Sequence, residues 1–276
     1  MDKFCIVIPI YSENLNPIEE ISLRRLWNQI GYKDYNVYLV YPKGLNIYNY
    51  ENIYPTLTFM PFDRKWFKNV KMYSQLLINK NFYNKFSNYQ YMYIYQLDCY
   101  LFYDKLEYWC DKRYDYIGGP IFSQNCGWKF KDKNGIIIPC VGNGGFSLRK
   151  ISTFKDICVY IKHIFDQEYL DEIIIEDIFF CNDLNNDYRL FIPEWIEASK
   201  FSWDMNPDFI YDVCKYKNFP MGAHAIGKNI RFYKHFIKEF QNKEIIDYCE
   251  EKYKNHILNY YIDSYRSTMN LNMMKI

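Results

Sequence analysis

The stretch YMYIYQLDCYLF, residues 91–102, restricts the possible fold more than any other part of the chain. Every side chain in it is apolar or aromatic except Gln96 and Asp98. A continuous apolar run of this kind is typical of a strand buried on both faces, as in a parallel sheet. An ionised carboxylate there costs several kcal/mol unless a cation, hydrogen bonds or water compensates it. Asp98 therefore either caps a turn or holds a metal ion or a substrate.

Strand and helix patterns alternate on the N-terminal side of this run. The predicted elements are strands at residues 3–10, 37–41 and 91–98 and helices at residues 17–30 and 70–86. A strand, a helix and a strand at this spacing form a βαβ unit, which implies a parallel sheet with right-handed crossovers. In such sheets ligands bind outside the carboxyl ends of the strands, where we expect Asp98.

The second half of the chain predicts shorter elements and a helical end. They are an extended piece at 114–120, a strand at 136–141, a glycine-rich segment at 142–149 and helices at 151–167 and 178–182. No Gly or Pro follows Lys228, and apolar residues recur near helical spacing over 231–261. We therefore expect one α/β domain over 1–230, a Rossmann-type, mostly parallel central sheet flanked by helices. A helical extension, 231–276, should pack on it.

Composition excludes several classes of function. The formal charge is +1 and no Lys/Arg run occurs, which argues against a nucleic-acid partner. The chain enters a strand directly after its first residues and has no apolar run of transmembrane length, so we expect a soluble, cytoplasmic protein without a signal peptide. Its nine cysteines form no CxxC pair and are expected to be free thiols in a reducing compartment.

Three other enzyme classes fit the motifs poorly. The segment GNGGFS at 142–147 lacks the third glycine of a dinucleotide fingerprint and does not follow the first strand. Glu176 and Asp177 are adjacent and cannot flank a glycosidic bond as a hydrolase pair must. The segment YSEN at 11–14 is not the glycine-rich phosphate loop that a nucleotidyltransferase would need after its first strand.

Four segments together resemble glycosyltransferases of the GT-A fold, most closely a bacterial and viral group described as a glycosyltransferase-like domain of unknown function. They are YQLDCYLF at 95–102, YDYIGGP at 114–120, VGNGGFSLR at 141–149 and EDIFF at 176–180. The resemblance implies transfer of a sugar from a nucleotide-sugar donor, UDP-linked in the first instance, to a hydroxyl of a glycan, lipid-linked or protein acceptor. A non-catalytic carbohydrate- or nucleotide-binding protein on the same fold is the alternative.

The donor site of such enzymes implies a metal ion. In the GT-A pattern an Asp-x-Asp motif binds Mn²⁺ or Mg²⁺, which grips the donor diphosphate and neutralises the charge of the leaving group. Here Gln96 stands where one aspartate is expected, and Asp98 matches the second aspartate. A late histidine supplies another ligand in several of these families, and His224 holds about that position. A purely structural role for His224 is the competing interpretation.

The resemblance also implies a catalytic acidic pair. Glu176-Asp177 is similar to the motif in which an inverting transferase keeps its general base, and Asp177 matches the base better by position. A base there would take the proton of the acceptor hydroxyl. The competing interpretation is a carboxylate pair at a helix N-terminus, which the helix dipole stabilises.

The remaining candidates are binding residues. Gly144 and Gly145 correspond to the segment that lines the sugars, or else form an ordinary turn. Tyr11, at the end of the first strand, is a candidate for contact with the donor base or ribose. Lys228 is a candidate phosphate ligand, with Lys71 and Arg64 less strongly indicated.

Overall fold

The structure is a computed structural model of the 276-residue chain, and it describes residues 2–121, 140–173, 175–184, 188–214 and 218–254. The strands are β1 Asp2–Pro9, β2 Val37–Pro42, β3 Thr58–Phe62, β4 Tyr89–Tyr95, β5 Tyr100–Leu101, β6 Tyr116–Ile117, β7 Gly119–Ile121, β8 Cys140–Gly142, β9 Phe146–Lys150, β10 Ser202–Trp203 and β11 Gly222–Ala223. The helices are α1 Pro17–Ile30, α2 Tyr48–Ile53, α3 Val70–Leu77, α4 Lys80–Asn84, α5 Leu106–Asp111, α6 Ile151–Ile164, α7 Gln167–Glu172, α8 Glu176–Ile178, α9 Trp195–Phe201, α10 Pro207–Val213, α11 Ile230–Tyr233 and α12 Lys243–Lys252.

Six strands form the central sheet in the order β3-β2-β1-β4-β9-β6. β3, β2, β1 and β4 run parallel, and β9 is antiparallel to both of its neighbours, β4 and β6. The predicted mostly parallel α/β sheet is thereby confirmed. Because β2 and β3 extend to one side of β1 and β4 lies on the other, the carboxyl ends of β1 and β4 border a topological switch point, where open sheets leave a crevice for ligands.

Local capping explains where the predicted helices begin and end. The predicted helix 17–30 is confirmed as α1, and the Asn16 side chain accepts hydrogen bonds from the first-turn amides while Glu19 accepts one from Asn16 N. The single helix predicted over 70–86 is wrong, because the Asn79 side chain caps a new helix, α4, and separates it from α3. The predicted helix 151–167 likewise ends at Ile164, and Asp166 caps α7.

Two other predicted segments differ in the structure, and a third is described only in part. β4 ends at Tyr95, so Asp98 lies in the turn between β4 and β5 and not within the strand. Of the predicted strand at 136–141, residues 136–139 lie outside the described residues, and Cys140–Gly142 is strand β8. The segment predicted as helical at 178–182 is a π-helical turn, Phe179–Asp183, that continues α8.

Apolar clusters cover both faces of the central sheet. A third cluster packs residues 230–254 against the small sheet β10-β11-β5, with Tyr100, Trp203, Ile226, Tyr233 and Phe240 buried in it. Residues 255–276 of the predicted extension lie outside the described residues. Among the residues that are described, no helix combines the length and apolar character needed to cross a membrane.

Candidate active site

A cleft of about 590 Å³ opens at the carboxyl ends of β1 and β4. Its volume is in the range that small-molecule ligands occupy. One side consists of the loop after β1 and the start of α1, and the other of the residues around the start of α3. Gln96 and Asp98 line its inner end, and aromatic side chains line its walls: Tyr11, Tyr50, Phe67 and Tyr73. The cleft therefore combines flat apolar surfaces with a few polar groups.

The small sheet brings three titratable residues to this inner end. β10 and β11 pair in parallel with Trp203 beside Ala223, so the next residues, Asp204 and His224, lie side by side. β11 pairs antiparallel with β5, and Ile226 N donates to the carbonyl of Asp98 at 3.0 Å. Strand pairing alone thus places residues 98, 204 and 224 next to one another.

The His224 ring bridges the two carboxylates. Nε2 lies 3.1 Å from Asp98 Oδ1 and 3.3 Å from Gln96 Oε1, and Nδ1 lies 3.3 Å from Asp204 Oδ1. Burial alone would lower the pKa of His224, but the charges of Asp98 and Asp204 outweigh it and raise that pKa to about 10. Burial opposes ionisation of both carboxyls, yet His224 holds the pKa of each below its usual range. Without a metal ion a positive charge is thus held between two carboxylates, and a divalent cation bound at Nε2 would take the place of its proton.

This donor set fits a divalent cation. Two atoms that bind one octahedral Mg²⁺ at about 2.1 Å each lie about 3 Å apart, close to the spacing of Asp98 Oδ1 and His224 Nε2. Carboxylate oxygen and imidazole nitrogen are both ligands that divalent metals accept. Asp204 on Nδ1 fixes the ring with Nε2 directed at Asp98, the arrangement in which a carboxylate orients a metal-binding histidine.

Cys99 also lies near this donor set, with its sulfur within 4.8 Å of the ligand atoms of Asp98 and His224. Its thiol donates to the carbonyl of Gly145 at 3.3 Å. Burial raises the pKa of the Cys99 thiol well above its usual range. The thiol is therefore neutral and already hydrogen-bonded to the backbone. Because the thiolate is the form that binds metals, Cys99 is a poor metal ligand in this state.

The glycine turn between β8 and β9 separates this donor set from the acidic pair. A Cβ on Gly145 would lie 2.4 Å from His224 Nε2 and 2.6 Å from Gln96 Oε1. A Cβ on Gly144 would lie 2.7 Å from Glu176 Oε1. Adjacent α-carbons are about 3.8 Å apart. One dipeptide without side chains thus lets the two groups of residues approach it from opposite sides.

Asn143 begins this turn in a conformation unusual for a residue with a side chain. Its φ is 70°, in the left-handed region, and its side chain is buried. The amide nitrogen donates to Ser202 Oγ at 3.0 Å. Oδ1 is buried and has no hydrogen-bond partner among the described residues. Strain and an unsatisfied acceptor of this kind concentrate at functional sites.

Glu176 is locked in a buried network. Its Oε1 accepts from Arg149 Nη2 at 2.8 Å and its Oε2 from Ser74 Oγ at 3.2 Å. Arg149 is fully buried and also donates to Ser147 Oγ and Tyr83 OH. Both carboxylate oxygens are engaged, so Glu176 is held as a fixed anion.

Asp177 has a different environment although it is the next residue. Its Oδ2 accepts from Gly144 N at 2.8 Å and its Oδ1 from Ile178 N at 3.0 Å. Burial, followed by the charge of Glu176, raises the pKa of Asp177 to about 6, against the lowering effect of these hydrogen bonds. Asp177 is therefore ionised at neutral pH and more basic than an ordinary carboxylate.

The other predicted binding residues do not all lie at the cleft. Tyr11 is 70% exposed and lines the cleft. Lys228 follows His224 on a 3-10 turn and is close enough to lower the pKa of Asp98 and Asp204. Lys71 lines a second cleft of about 460 Å³ and pairs with Glu172 at 3.0 Å. Arg64 donates to the carbonyls of residues 43 and 44.

Three residues of the site escaped the sequence reasoning: Asp204, Arg149 and Lys252. Asp204 had one usable signal, because it follows a short apolar segment as His224 does. Arg149 lay inside a quoted motif, VGNGGFSLR, but an arginine in a strand gives no sign of its partner. Lys252 lines the cleft only because of the path that the last described helix takes.

Solved structures with the same fold define its class. Mouse xyloside xylosyltransferase 1, in its apo form, superposes with a TM-score of 0.53 at 8% identity over 80% of this chain and 97% of its own. Core-mannan synthase A from Aspergillus fumigatus, in a Mn/GDP form, gives 0.50 at 10% identity over 67% and 70%. An active-site mutant of LgtC gives 0.50 at 12% identity over 81% and 86%. The fold is that of the GT-A glycosyltransferases.

Sequence comparison assigns the family. The chain belongs to the DUF5672 family, described as a protein of unknown function, whose model matches residues 56–224. None of the curated proteins matches it in sequence. The matched segment includes Asp98, Gly144, Asp177, Asp204 and His224, and it ends before Lys252.

Proposed function

We propose that this protein is a glycosyltransferase that uses a nucleotide-sugar donor, with UDP-sugars as the first candidates and a glycan, lipid-linked or protein hydroxyl as acceptor. One observation carries the proposal: Asp98 Oδ1 and His224 Nε2 lie 3.1 Å apart at the inner end of a cleft at the switch point of a GT-A fold. A carboxylate oxygen and an imidazole nitrogen at that place suit a divalent cation that binds a diphosphate.

On the donor side, Asp98 and His224 would hold Mn²⁺ or Mg²⁺, and Asp204 would orient His224. Such an ion neutralises the negative charge of the departing nucleoside diphosphate. Tyr11 offers an exposed ring for the nucleobase or ribose, and Gln96 a neutral oxygen beside the ion. Gly144 and Gly145 leave room for the sugar against the backbone, since side chains there would occupy that space.

On the acceptor side, Asp177 is proposed as the general base and Glu176 as a residue that positions it. A pKa of about 6 leaves Asp177 ionised at neutral pH while raising its affinity for a proton. Direct displacement assisted by such a base inverts the anomeric centre. NMR of the anomeric configuration of the first-formed product checks this; a retained configuration contradicts the role given to Asp177.

Nucleotide binding tests the donor site directly. We expect UDP with Mn²⁺, and to a different extent GDP with Mn²⁺, to raise the melting temperature of the purified protein. Asp98→Ala should abolish the shift because it removes the carboxylate that lies 3.1 Å from His224 Nε2 at the inner end of the cleft. Asp111→Ala, an exposed aspartate on α5 paired with Lys3, is the matched control and should behave as wild type. No shift with any nucleoside diphosphate rejects the donor site.

The alternative is a non-catalytic binding protein on the same fold, and Gln96 in place of a second carboxylate is the observation in its favour. Donor hydrolysis separates the two, since transferases commonly release some sugar to water. A transferase should liberate nucleoside diphosphate from a donor sugar, and Asp177→Asn should reduce that rate. Binding without release, unchanged by Asp177→Asn, favours the alternative.

The compartment is a further part of the proposal. Apart from Cys140, the described cysteines are free thiols, and most of them are buried. Free thiols in this number suit a reducing compartment, and we infer the cytoplasm. Alkylation of freshly isolated protein before and after reduction tests it: an increase in labelled thiols after reduction argues against a reducing location.

A further inference from the structure

Helix α12 brings a cation to the cleft from a part of the chain that the family match does not reach. Lys252 and Tyr253, at the end of this helix, line the same cleft as Tyr11 and Asp98. Lys68 is the other lysine among the lining residues and lies on the side formed by the start of α3. The two lysines therefore approach the cleft from different elements.

Lys252 is close to the inner end of the cleft. Its charge lowers the pKa of both Glu19 and Tyr11, and the charge of Asp98 raises the pKa of the same two groups. Asp98 also acts on Tyr253, the next residue after Lys252. Lys252 therefore lies near the same groups as Asp98.

The ammonium group of Lys252 is held in place but not neutralised. Nζ donates to Tyr248 OH at 3.0 Å and lies about 5 Å from the ring centres of Tyr248 and Tyr253. Among the described residues it makes no ion pair, whereas Lys243 on the same helix pairs with Asp247. An ammonium group has three donors, so Lys252 keeps hydrogen-bonding capacity for a ligand.

Tyr253 seats the end of the helix against the segment that carries His224. A Cβ on Gly227 would lie 2.6 Å from Tyr253 Cε2, so only a residue without a side chain lets the ring pack at this point. Gly227 is three residues after His224. The position of Lys252 is consequently tied to the position of the metal-binding candidate.

Glu19, a carboxylate of the cleft wall near Lys252, is already engaged. Glu19 lines the cleft, but its Oε2 accepts from Asn16 N at 2.8 Å as part of the α1 capping box. That contact fixes Glu19 at the start of the helix and does not extend to the Lys252 ammonium. Lys252 therefore remains available, beside Lys228, to balance an incoming anion at this end of the cleft.

We propose that Lys252 binds the diphosphate of the nucleotide donor, so that helix α12 is one wall of the donor site and not only a packed extension. The inference rests on the proposed function and deepens it, because it assigns a second diphosphate contact beside the cation held by Asp98 and His224. A hydrogen bond from a charged donor to a phosphate oxygen is among the stronger polar contacts in proteins.

The test uses inorganic pyrophosphate, UDP and GDP, each with Mn²⁺, titrated calorimetrically into the full-length protein. Lys252→Met keeps the aliphatic stem and removes the charge, and it should weaken binding of pyrophosphate and of the nucleotide about ten-fold. Lys252→Arg keeps the charge and should restore most of the affinity. Lys243→Met, on the same helix and 84% exposed, is the matched control and should bind as wild type.

The outcomes distinguish this inference from the function on which it rests. Wild-type protein that binds none of the three ligands rejects the donor site and this contact together. Wild-type binding that Lys252→Met leaves unchanged, or that Lys243→Met weakens equally, rejects only the role of Lys252. If Lys252→Met unfolds at a lower urea concentration, Gly227→Ala supplies a second variant, which should weaken pyrophosphate binding by displacing Tyr253.

Discussion

The Arg149–Glu176 pair and the group of Asp98, His224 and Asp204 lie on either side of Gly144 and Gly145 and differ in burial and in net charge. On one side, Glu176 is buried and its charge is matched by a fully buried arginine at 2.8 Å. On the other, Asp98 and Asp204 share one histidine, and the Asp98 side chain is 33% exposed at the end of an open cleft. The Arg149–Glu176 pair is therefore a closed group with balanced charge, whereas Asp98, His224 and Asp204 form an open group with one more carboxylate than cations.

This difference indicates a division of labour. A buried, matched ion pair cannot exchange its partner without a large desolvation cost, so it is suited to holding a neighbouring group in a fixed geometry. An open group of carboxylates can accept a mobile cation and its bound anion. In the proposed enzyme the closed group would orient the base Asp177 while the open group receives the donor.

The largest effect is expected at Asp177, the proposed base beside the closed group. Asp177→Asn should lower turnover about 10²- to 10⁴-fold while leaving UDP and Mn²⁺ affinity unchanged, since it removes a base and not a ligand. The base must be deprotonated to act, and its pKa is about 6. Turnover of wild type should therefore fall tenfold per pH unit below about 6 and level off above it.

Donor turnover measured from pH 4.5 to pH 8 at saturating donor checks this. Asp171→Asn, on the exposed face of α7, is the control and should show the wild-type profile. A profile that stays flat through pH 6, or an Asp177→Asn variant with full turnover, would mean that Asp177 has no part in proton transfer.

The next effect tests whether the buried Arg149–Glu176 ion pair stabilises the fold. Arg149→Met leaves Glu176 ionised and unpaired in the interior, and breaking a buried pair in this way costs about 3–5 kcal/mol of unfolding free energy. Urea denaturation measures the loss. Adding Glu176→Gln should recover part of it, because the lone charge is removed. Arg24→Met, which breaks an exposed pair with Glu20 on α1, should have little effect.

Elements whose boundaries depend on neighbouring residues could be predicted from the sequence. α1 could be predicted to the residue because Asn16, Pro17 and Glu19 encode its start and the apolar spacing its length. The βαβ order and the sheet class follow from the same kind of pattern. Asp98 and His224 were both chosen as ligands, and the structure brings their side chains together at 3.1 Å.

What could not be predicted depends on contacts distant in the chain. Asp204 lies 20 residues from His224 and meets it through a two-residue strand, too short to give a periodic signal. Lys71 was chosen as a phosphate ligand because of its residue type alone. It is two residues from Tyr73 on α3, and residues that far apart point to different sides of a helix. Tyr73 therefore lines the cleft, and Lys71 lines the second one.

An intermediate effect is expected at Asp204, which sharpens the description of the open group. Asp204→Asn removes the charge that fixes the His224 ring and should weaken Mn²⁺ binding about 10- to 100-fold, as such outer contacts do elsewhere. Titration followed by electron paramagnetic resonance of free Mn²⁺ measures it. Because Asp204 would act through His224, the substitution should have no further effect in a His224→Ala background. An effect of the same size in both backgrounds would assign Asp204 an independent role.

The smallest effect is expected at Cys99. Its size shows whether the Cys99 sulfur is a metal ligand together with Asp98 and His224. The sulfur lies near Asp98 and His224, so proximity alone would count it as a ligand. Its thiol donates to Gly145 O, and its raised pKa keeps it protonated. Cys99→Ser preserves that donor and should change Mn²⁺ affinity less than about two-fold, which is under 0.5 kcal/mol. A substantial loss of affinity would place a thiolate among the ligands and favour a softer metal such as Zn²⁺, since soft sulfur ligands select softer ions.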